Sequence, residues 1–138
     1  MHIAGTNGKG SVALKTANAL AYCGYTTGLY TSPHISSFTE RIQIFGDKQQ
    51  GIFSFLNHNV HIDEKDFVDR YNEVVNVIIK HRLDITFFEV LTMMAYLEFR
   101  EKKVDYAVLE VGIGGRLDAT NSCTNVACTA ITSIGMDH

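Results

Sequence analysis

Short apolar runs, each broken off by a polar or glycine-rich loop and separated by helical stretches, constrain this chain of 138 residues more than any other feature. Gly28-Leu29-Tyr30-Thr31, the stretch from Asp105 to Glu110 and the stretch from Val126 to Ile131 read as strands without polar alternation. Strands of that kind have both faces covered. Between them lie helical patterns. Ser11 to Cys23 carries Val12, Ala13, Thr16, Ala19, Leu20 and Cys23 at helical spacing and is closed by Gly24. Asp63 reads as the N-cap of a helix running to about Lys80, with Phe67, Tyr71, Val74, Val75 and Ile78 on one face. A further helix starts at Thr86, carries Phe87, Val90, Leu91, Met93, Met94 and Leu97 inward, and ends near Glu101-Lys102-Lys103. Ser32 to Phe38 is a loop holding the only proline and leading into an alternating strand at Glu40 to Ile44, whereas Gly46 to His61 has no clear period and receives no assignment. The order predicts an α/β domain, a mostly parallel sheet with flanking helices.

Ligands of such sheets bind beyond the carboxyl ends of the strands. The loop at Gly5, the loop at Ser32, Glu110 with its glycines and the Asp137-His138 pair all fall at ends of that kind. The first is the most informative. Ala4-Gly5-Thr6-Asn7-Gly8-Lys9-Gly10-Ser11 places a glycine-broken turn and one lysine between an apolar lead-in and a helix. Glycines let backbone N–H groups turn inward, and the positive end of the helix dipole faces the same hollow, which suits a polyphosphate. Lys9 would add a mobile positive charge. The segment does not match G-x-x-x-x-G-K-[ST], because Ile3 stands where the first glycine belongs. A plain Gly/Asn turn between strand and helix accounts for the same residues.

Glu110 ends an apolar strand where a metal-associated carboxylate would sit, although a solvated strand-end glutamate reads the same way. The Gly112-Ile113-Gly114-Gly115 run that follows lets a phosphate or metal approach the backbone. It lacks the G-x-G-x-x-G spacing, which excludes a dinucleotide fingerprint. His58 and His61 have no third ligand nearby and read as loop residues, and Glu89 stands at capping-box spacing from Thr86. His2, His81 and Met93-Met94 read as packing or surface.

Composition bounds the partners. A net charge of −3, from 12 basic and 15 acidic residues, leaves no surplus for a nucleic-acid backbone. No apolar run approaches the roughly 20 residues of a membrane helix, and no secretory leader pattern is present. These features predict a soluble cytosolic protein. Three cysteines without C-x-x-C spacing, Cys23, Cys123 and Cys128, are expected as small buried thiols. Both ends read as cut, since the first strand has almost no length and the chain stops directly after a strand-like run; the expectation is a piece of a larger enzyme.

Taken together, His2 to Ser11, Tyr30-Thr31-Ser32-Pro33-His34, Glu40-Arg41-Ile42, Phe88-Glu89, Leu109 to Asn121 and Asp137-His138 resemble the ordered motifs of the folylpolyglutamate synthase and dihydrofolate synthase family, within the Mur ligase superfamily. The resemblance implies an incomplete P-loop-containing central ATPase domain of the Mur ligase type. It also implies an ATP- and Mg²⁺-dependent ligase that phosphorylates a folate or dihydropteroate carboxylate and joins it to L-glutamate. By the same resemblance Thr6, Asn7, Gly8, Lys9, Gly10 and Ser11 hold the ATP phosphates, with Lys9, Glu110 and His138 in catalysis. Ser32, Glu110 and His138 match metal ligands. Thr86, Phe87, Phe88 and Glu89, with Leu117, Asp118 and Ala119, match segments lining the pterin site. The implied partners are small molecules acting on a monomer, with neither nucleic acid nor membrane, in the cytoplasm or in a mitochondrial form. The segment from about Gln49 to Val60 looks longer than the family's turn. A carbamylated lysine, the adenine-binding residues and a C-terminal glutamate-binding domain would lie beyond His138, leaving this piece inactive alone. A cell-wall Mur ligase, a P-loop kinase or GTPase, and a non-catalytic nucleotide-binding remnant are the competing readings; the chain contains no Asn-Lys-x-Asp, and Leu117 to Asn121 favours the folate branch.

Overall fold

A computed structural model describes residues 1–46 and 61–136. Residues 47–60, which make up all but the ends of the unassigned segment and include His58 and the expected insertion, lie outside the described residues, as do Asp137 and His138. The elements in chain order are β1 (His2–Ala4), α1 (Lys9–Tyr22), β2 (Thr27–Tyr30), β3 (Ile42–Phe45), α2 (Glu64–His81), α3 (Phe87–Glu101), β4 (Tyr106–Glu110) and β5 (Thr129–Ile131). Short 3₁₀ turns occupy Phe38–Arg41 and Ala119–Ser122.

The strands form one sheet in the order β3-β2-β4-β1-β5. All neighbours pair parallel except β3, which runs antiparallel to β2 at the edge. The inner strands β2 and β4 present alternate residues to two cores. Ile3, Leu29 and Val108 pack with α1, whereas Tyr30, Ile42 and Leu109 pack with α2 and α3. Burial on both faces explains why the sequences of β2 and β4 lack polar alternation. The expected mostly parallel α/β sheet with flanking helices is what the chain forms.

α1 departs from the expected face. Its buried stripe is Ala13, Ala17 and Ala21, while Val12, Ala19 and Cys23 are exposed. Residues four apart share a helix face, and alanines let the helix lie close on the sheet. Gly24, at φ 91°, closes the helix as expected: its N–H reaches the Ala21 carbonyl at 2.9 Å, and the Tyr25 N–H reaches Leu20 at 3.2 Å. That pair of bonds satisfies otherwise orphan carbonyls. On the other face, an alanine Cβ at Gly28 would stand 2.5 Å from the Phe99 ring. Gly28→Ala should therefore cost about 1–3 kcal/mol of stability by overpacking. A lower urea midpoint at unchanged m-value would show it, and an unchanged midpoint would mean that Phe99 shifts freely.

Asp63 caps α2 by accepting the Asp66 N–H at 2.8 Å, and Thr86 with Glu89 forms the capping box of α3. Between these helices Glu98 is only 1% exposed, with Lys102 Nζ at 3.5 Å and Arg70 Nε at 3.7 Å. Neither of its oxygens closes a hydrogen bond. Burial raises its pKa against the pull of Lys102 and Arg70. A carboxyl whose folded pKa lies above its unfolded one favours the fold below the unfolded value, near about 4.3, and loses that contribution as pH rises through the folded value. Arg70 and Lys102 keep Glu73 and Asp66 as partners when Glu98 is neutral. Glu98→Gln should raise the thermal midpoint at neutral pH and lose that advantage below pH about 4, whereas a lower midpoint at pH 7 would show a net favourable ion pair.

Two expectations are corrected. The last strand is shorter than Val126 to Ile131 and is not buried: β5 covers Thr129–Ile131, with Thr129 and Ile131 exposed, because it lies at the sheet edge with β1 as its partner. The cysteines are not buried thiols either. Cys23 and Cys128 are exposed and Cys123 is half-buried, since they sit at the end of α1, before the edge strand and after a surface turn.

Candidate active site at the carboxyl edge of the sheet

Because β1, β2, β4 and β5 run the same way, their last residues, Ala4, Tyr30, Glu110 and Ile131, line up along one edge. Everything that follows these residues meets there. The chain leaves β1 through Gly5, at φ 133°, where a Cβ would fall 2.0 Å from Thr132 Oγ1. That position admits glycine alone. The segment after β5 straps the loop from outside: the Thr6 N–H donates to the Ser133 carbonyl at 2.7 Å, and Thr132 Oγ1 donates to the Asn7 carbonyl at 2.7 Å. Gly8 then caps α1 at φ 84° with no side-chain hydrogen bond to the first turn, which contains no acidic residue. Apart from the Gly10 N–H, which faces the Glu110 carboxylate, the first-turn N–H groups have no side-chain cap, and with the helix dipole they make that end receptive to an anion.

Lys9 donates to the carbonyls of Gly5 at 2.7 Å and Thr6 at 3.2 Å. The loop thus holds its lysine at the mouth of a cleft of about 410 Å³. Gly112, Ile113 and Gly114 form the wall facing that loop, and Ile131 and Ile134 complete the rim.

Glu110 lies beside the loop and is 6% exposed. One of its oxygens accepts the Ser32 N–H at 3.0 Å, and a Cβ at Gly10 would stand 3.3 Å from both. Burial raises its pKa, opposed by the N–H groups of Ser32 and Gly10 and by the Lys9 charge. The structure therefore joins three predicted residues, Lys9, Ser32 and Glu110, to one another around the start of α1. A buried carboxylate that holds few donors, next to a serine and a helix N-terminus, has the all-oxygen character that suits Mg²⁺ with phosphate and water. Among the described residues no group of three or more His, Cys, Asp and Glu converges, so such an ion would rest on Glu110 and Ser32, with His138 outside the described residues.

The pterin-site segments are distributed differently. Glu89 Oε2 accepts from the Thr86 N–H at 2.6 Å and the Thr86 hydroxyl at 2.7 Å, so this carboxylate is committed to capping α3. Phe87 is 55% exposed and stands edge-on to Phe38, with centroids 5.4 Å apart. Phe88 turns inward toward Tyr30, at 5.9 Å, and a Cβ at Gly112 would lie 2.6 Å from its ring and 3.1 Å from Asp118 Oδ2. Phe88 and Asp118 thus meet at Gly112. Leu117 is 89% exposed, and Ala119 opens a 3₁₀ turn.

One organising residue escaped the sequence reading. Glu40 accepts the N–H groups of Ile35, Ser36 and Ser37 at 2.8, 2.9 and 2.8 Å, clamping the loop that carries Ser32. These donors lower its pKa. The Ser37-Phe38-Thr39-Glu40 spacing is that of a capping box and would have revealed it. His61, read as a loop residue, forms an isolated bridge to Gln43.

No family model matches the chain. Curated relatives do. The dihydrofolate synthase/folylpolyglutamate synthase of Buchnera aphidicola (strain APS, from Acyrthosiphon pisum) is 38% identical over 136 residues, covering 99% of this chain and 29% of that protein. The folylpolyglutamate synthase of Thermotoga maritima superimposes with a TM-score of 0.83 at 42% identity, covering 98% of this chain and 30% of its own. The bifunctional synthase of Yersinia pestis complexed with AMPPNP and Mn gives a TM-score of 0.80 at 36% identity, with 99% and 30% covered, and a bifunctional synthase with Mn, AMPPNP and L-glutamate bound gives the same values. The chain spans about three-tenths of the length of each of these proteins.

Proposed function

The chain belongs along its whole length to the folylpolyglutamate synthase/dihydrofolate synthase family, and from that premise we propose that it forms the phosphate-binding part of an ATP-dependent ligase joining L-glutamate to a folate or dihydropteroate carboxylate. The observation that carries the reading is the meeting of the glycine-capped α1 N-terminus, Lys9 and the buried Glu110–Ser32 pair at one sheet edge. A relative solved with AMPPNP, Mn and L-glutamate is consistent with it.

In this reading the loop from Thr6 to Ser11 cradles the polyphosphate through its N–H groups. Lys9 keeps one ammonium N–H and its full charge for a phosphate oxygen, since the loop carbonyls of Gly5 and Thr6 engage the other two. Glu110 and Ser32, with His138, would hold Mg²⁺, which supplies neutralisation of phosphate charge. A carboxylate oxygen of the folate or dihydropteroate takes the γ-phosphoryl group as the bond to the β-phosphate oxygen breaks and ADP leaves. The L-glutamate amine then attacks the acyl carbon, a C–N bond forms, and phosphate and a proton depart. Positioning and charge stabilisation are the protein's contribution to the phosphoryl step. Phe88 and the exposed Phe87 would face the pterin; Asp118, which meets Phe88 at Gly112 and holds Ile113 and Thr120, would shape that wall from behind, as Thr86 and Glu89 do through their cap, and Leu117 and Ala119 border it.

Further parts of the reading follow from the family. The chain is part of the central ATPase domain, and the glutamate-binding domain belongs to the rest of the protein. The enzyme acts as a cytoplasmic monomer on small molecules, with a mitochondrial form in some lineages, and has no nucleic-acid or membrane partner; no described helix is long and apolar enough to cross a membrane. The test is ADP release by the full-length protein. Release that requires both a folate or dihydropteroate and L-glutamate is expected, and release indifferent to the folate would overturn the proposal. A cell-wall ligase would instead respond to a UDP-sugar peptide.

A further inference from the structure

Ile3 points into the α1 core, so its neighbour His2 faces the other side of the sheet. There His2 Nε2 lies 2.7 Å from Thr120 Oγ1. The same hydroxyl bonds Asp118 Oδ1, which also accepts the Thr120 N–H at 3.0 Å. The other oxygen of Asp118 accepts the Ile113 N–H at 2.9 Å. The proton positions along this chain follow from its members. An ionised carboxylate only accepts, and a threonine hydroxyl has one proton to give. That proton goes to Asp118, leaving a lone pair of Thr120 facing the imidazole. The nitrogen opposite must therefore carry hydrogen.

We propose that His2 is a positioning residue of the cleft: as the Nε2–H tautomer it donates to Thr120, directs the Thr120 proton onto Asp118, and so fixes the carboxylate that holds Ile113 and the glycine wall facing Lys9. The wall needs such an anchor. Gly114 and Gly115 adopt φ 68° and 154°, and glycines of this kind have wide conformational freedom to lose. Asp118 ties both arms of the turn, through the Ile113 N–H at one end and its own N–H to the Gly115 carbonyl, 3.1 Å, at the other. Burial holds the His2 ring below the ordinary histidine pKa, so one nitrogen carries the proton at neutral pH and its identity matters. The effect on nucleotide affinity rests on reading the cleft as the phosphate site; the tautomer does not.

The test therefore has two arms in the full-length protein. With ¹⁵N-labelled histidine, the His2 resonances, assigned by their loss in His2→Gln, should show a protonated Nε2 and an unprotonated Nδ1, and Thr120→Val should abolish that preference. In steady-state assays His2→Ala should raise the KM for ATP about 10-fold with a much smaller change in kcat, the scale of one buried hydrogen-bond partner lost. His2→Gln, whose amide nitrogen stands in for Nε2, should restore most of the loss, and His2→Asn, which mimics Nδ1, should not. A protonated Nδ1, an unchanged KM in His2→Ala, or a glutamine variant as impaired as the alanine one would each overturn the proposal. Loss of folate dependence in the ADP assay would overturn the ligase reading and leave the tautomer result standing.

Discussion

Lys9→Ala in the full-length enzyme should lower turnover by about 100- to 1,000-fold, roughly 3–4 kcal/mol of transition-state stabilisation, while folate binding stays largely intact. The asymmetry follows from position. Lys9 Nζ sits on the carbonyls of Gly5 and Thr6, at the mouth of the cleft beside the α1 N-terminus, and no pterin-site candidate is among its hydrogen-bond partners. Its removal takes a full positive charge from the place where phosphate charge shifts during transfer, and water supplies no preorganised replacement. The cost to the fold should be small, since two exchangeable carbonyl contacts at a half-buried loop amount to about 1 kcal/mol. Steady-state ADP release and folate titration by intrinsic fluorescence separate the effects. Turnover equal to the unsubstituted enzyme would remove this loop from the phosphate site.

Glu110→Gln should be nearly as damaging to turnover, at least about 100-fold, with a higher Mg²⁺ concentration needed for half-maximal rate. Its effect on stability should have the opposite sign. The carboxyl is 6% exposed and its pKa is raised, burial outweighing Ser32, Lys9 and Gly10. Such a group contributes to stability below its unfolded pKa and loses that contribution as pH rises through the folded value, so at neutral pH the charge is a burden on the metal-free fold. Glutamine retains an oxygen for the Ser32 N–H. The metal-free variant should melt at or above the temperature of the unsubstituted protein at pH 7 and show no gain near pH 4. A lower midpoint at neutral pH, with Mg²⁺ dependence unchanged, would reassign Glu110 to a structural role. The same linkage applies to Glu98, but that carboxyl is remote from the cleft between α2 and α3, so Glu98→Gln serves as a control for pH-dependent stability without a metal effect.

Much of this site was legible locally. A glycine-broken turn before a helix, a strand ending in Glu110 and a Thr86-x-x-Glu89 cap are written in contiguous residues, and the forces involved act over one or two turns of chain. The failures share one cause. Ala17 and Ala21 carry so little apolar signal that, of the expected face of α1, only Ala13 is fully buried, while Val12, Ala19 and Cys23 are exposed. The three cysteines looked like core residues by type, but exposure depends on which neighbour arrives, and none covers Cys23 or Cys128. Nor does the segment Leu117-Asp118-Ala119 show in sequence which partners Asp118 takes; in the fold both of its oxygens are engaged, by Ile113 and Thr120.

The chain by itself determined the class of the fold and the location of its chemistry: both-face-apolar strands alternating with capped helices have few arrangements other than a parallel sheet, and such a sheet collects its loops at the carboxyl edge. Only the tertiary structure decided which groups touch. Strand order β3-β2-β4-β1-β5 brings Ser32 to Glu110 across 78 positions and Thr132 to Asn7 across 125. Hydrogen bonds at that separation leave no periodicity in the sequence, because each partner is chosen by strand pairing and not by its neighbours along the chain.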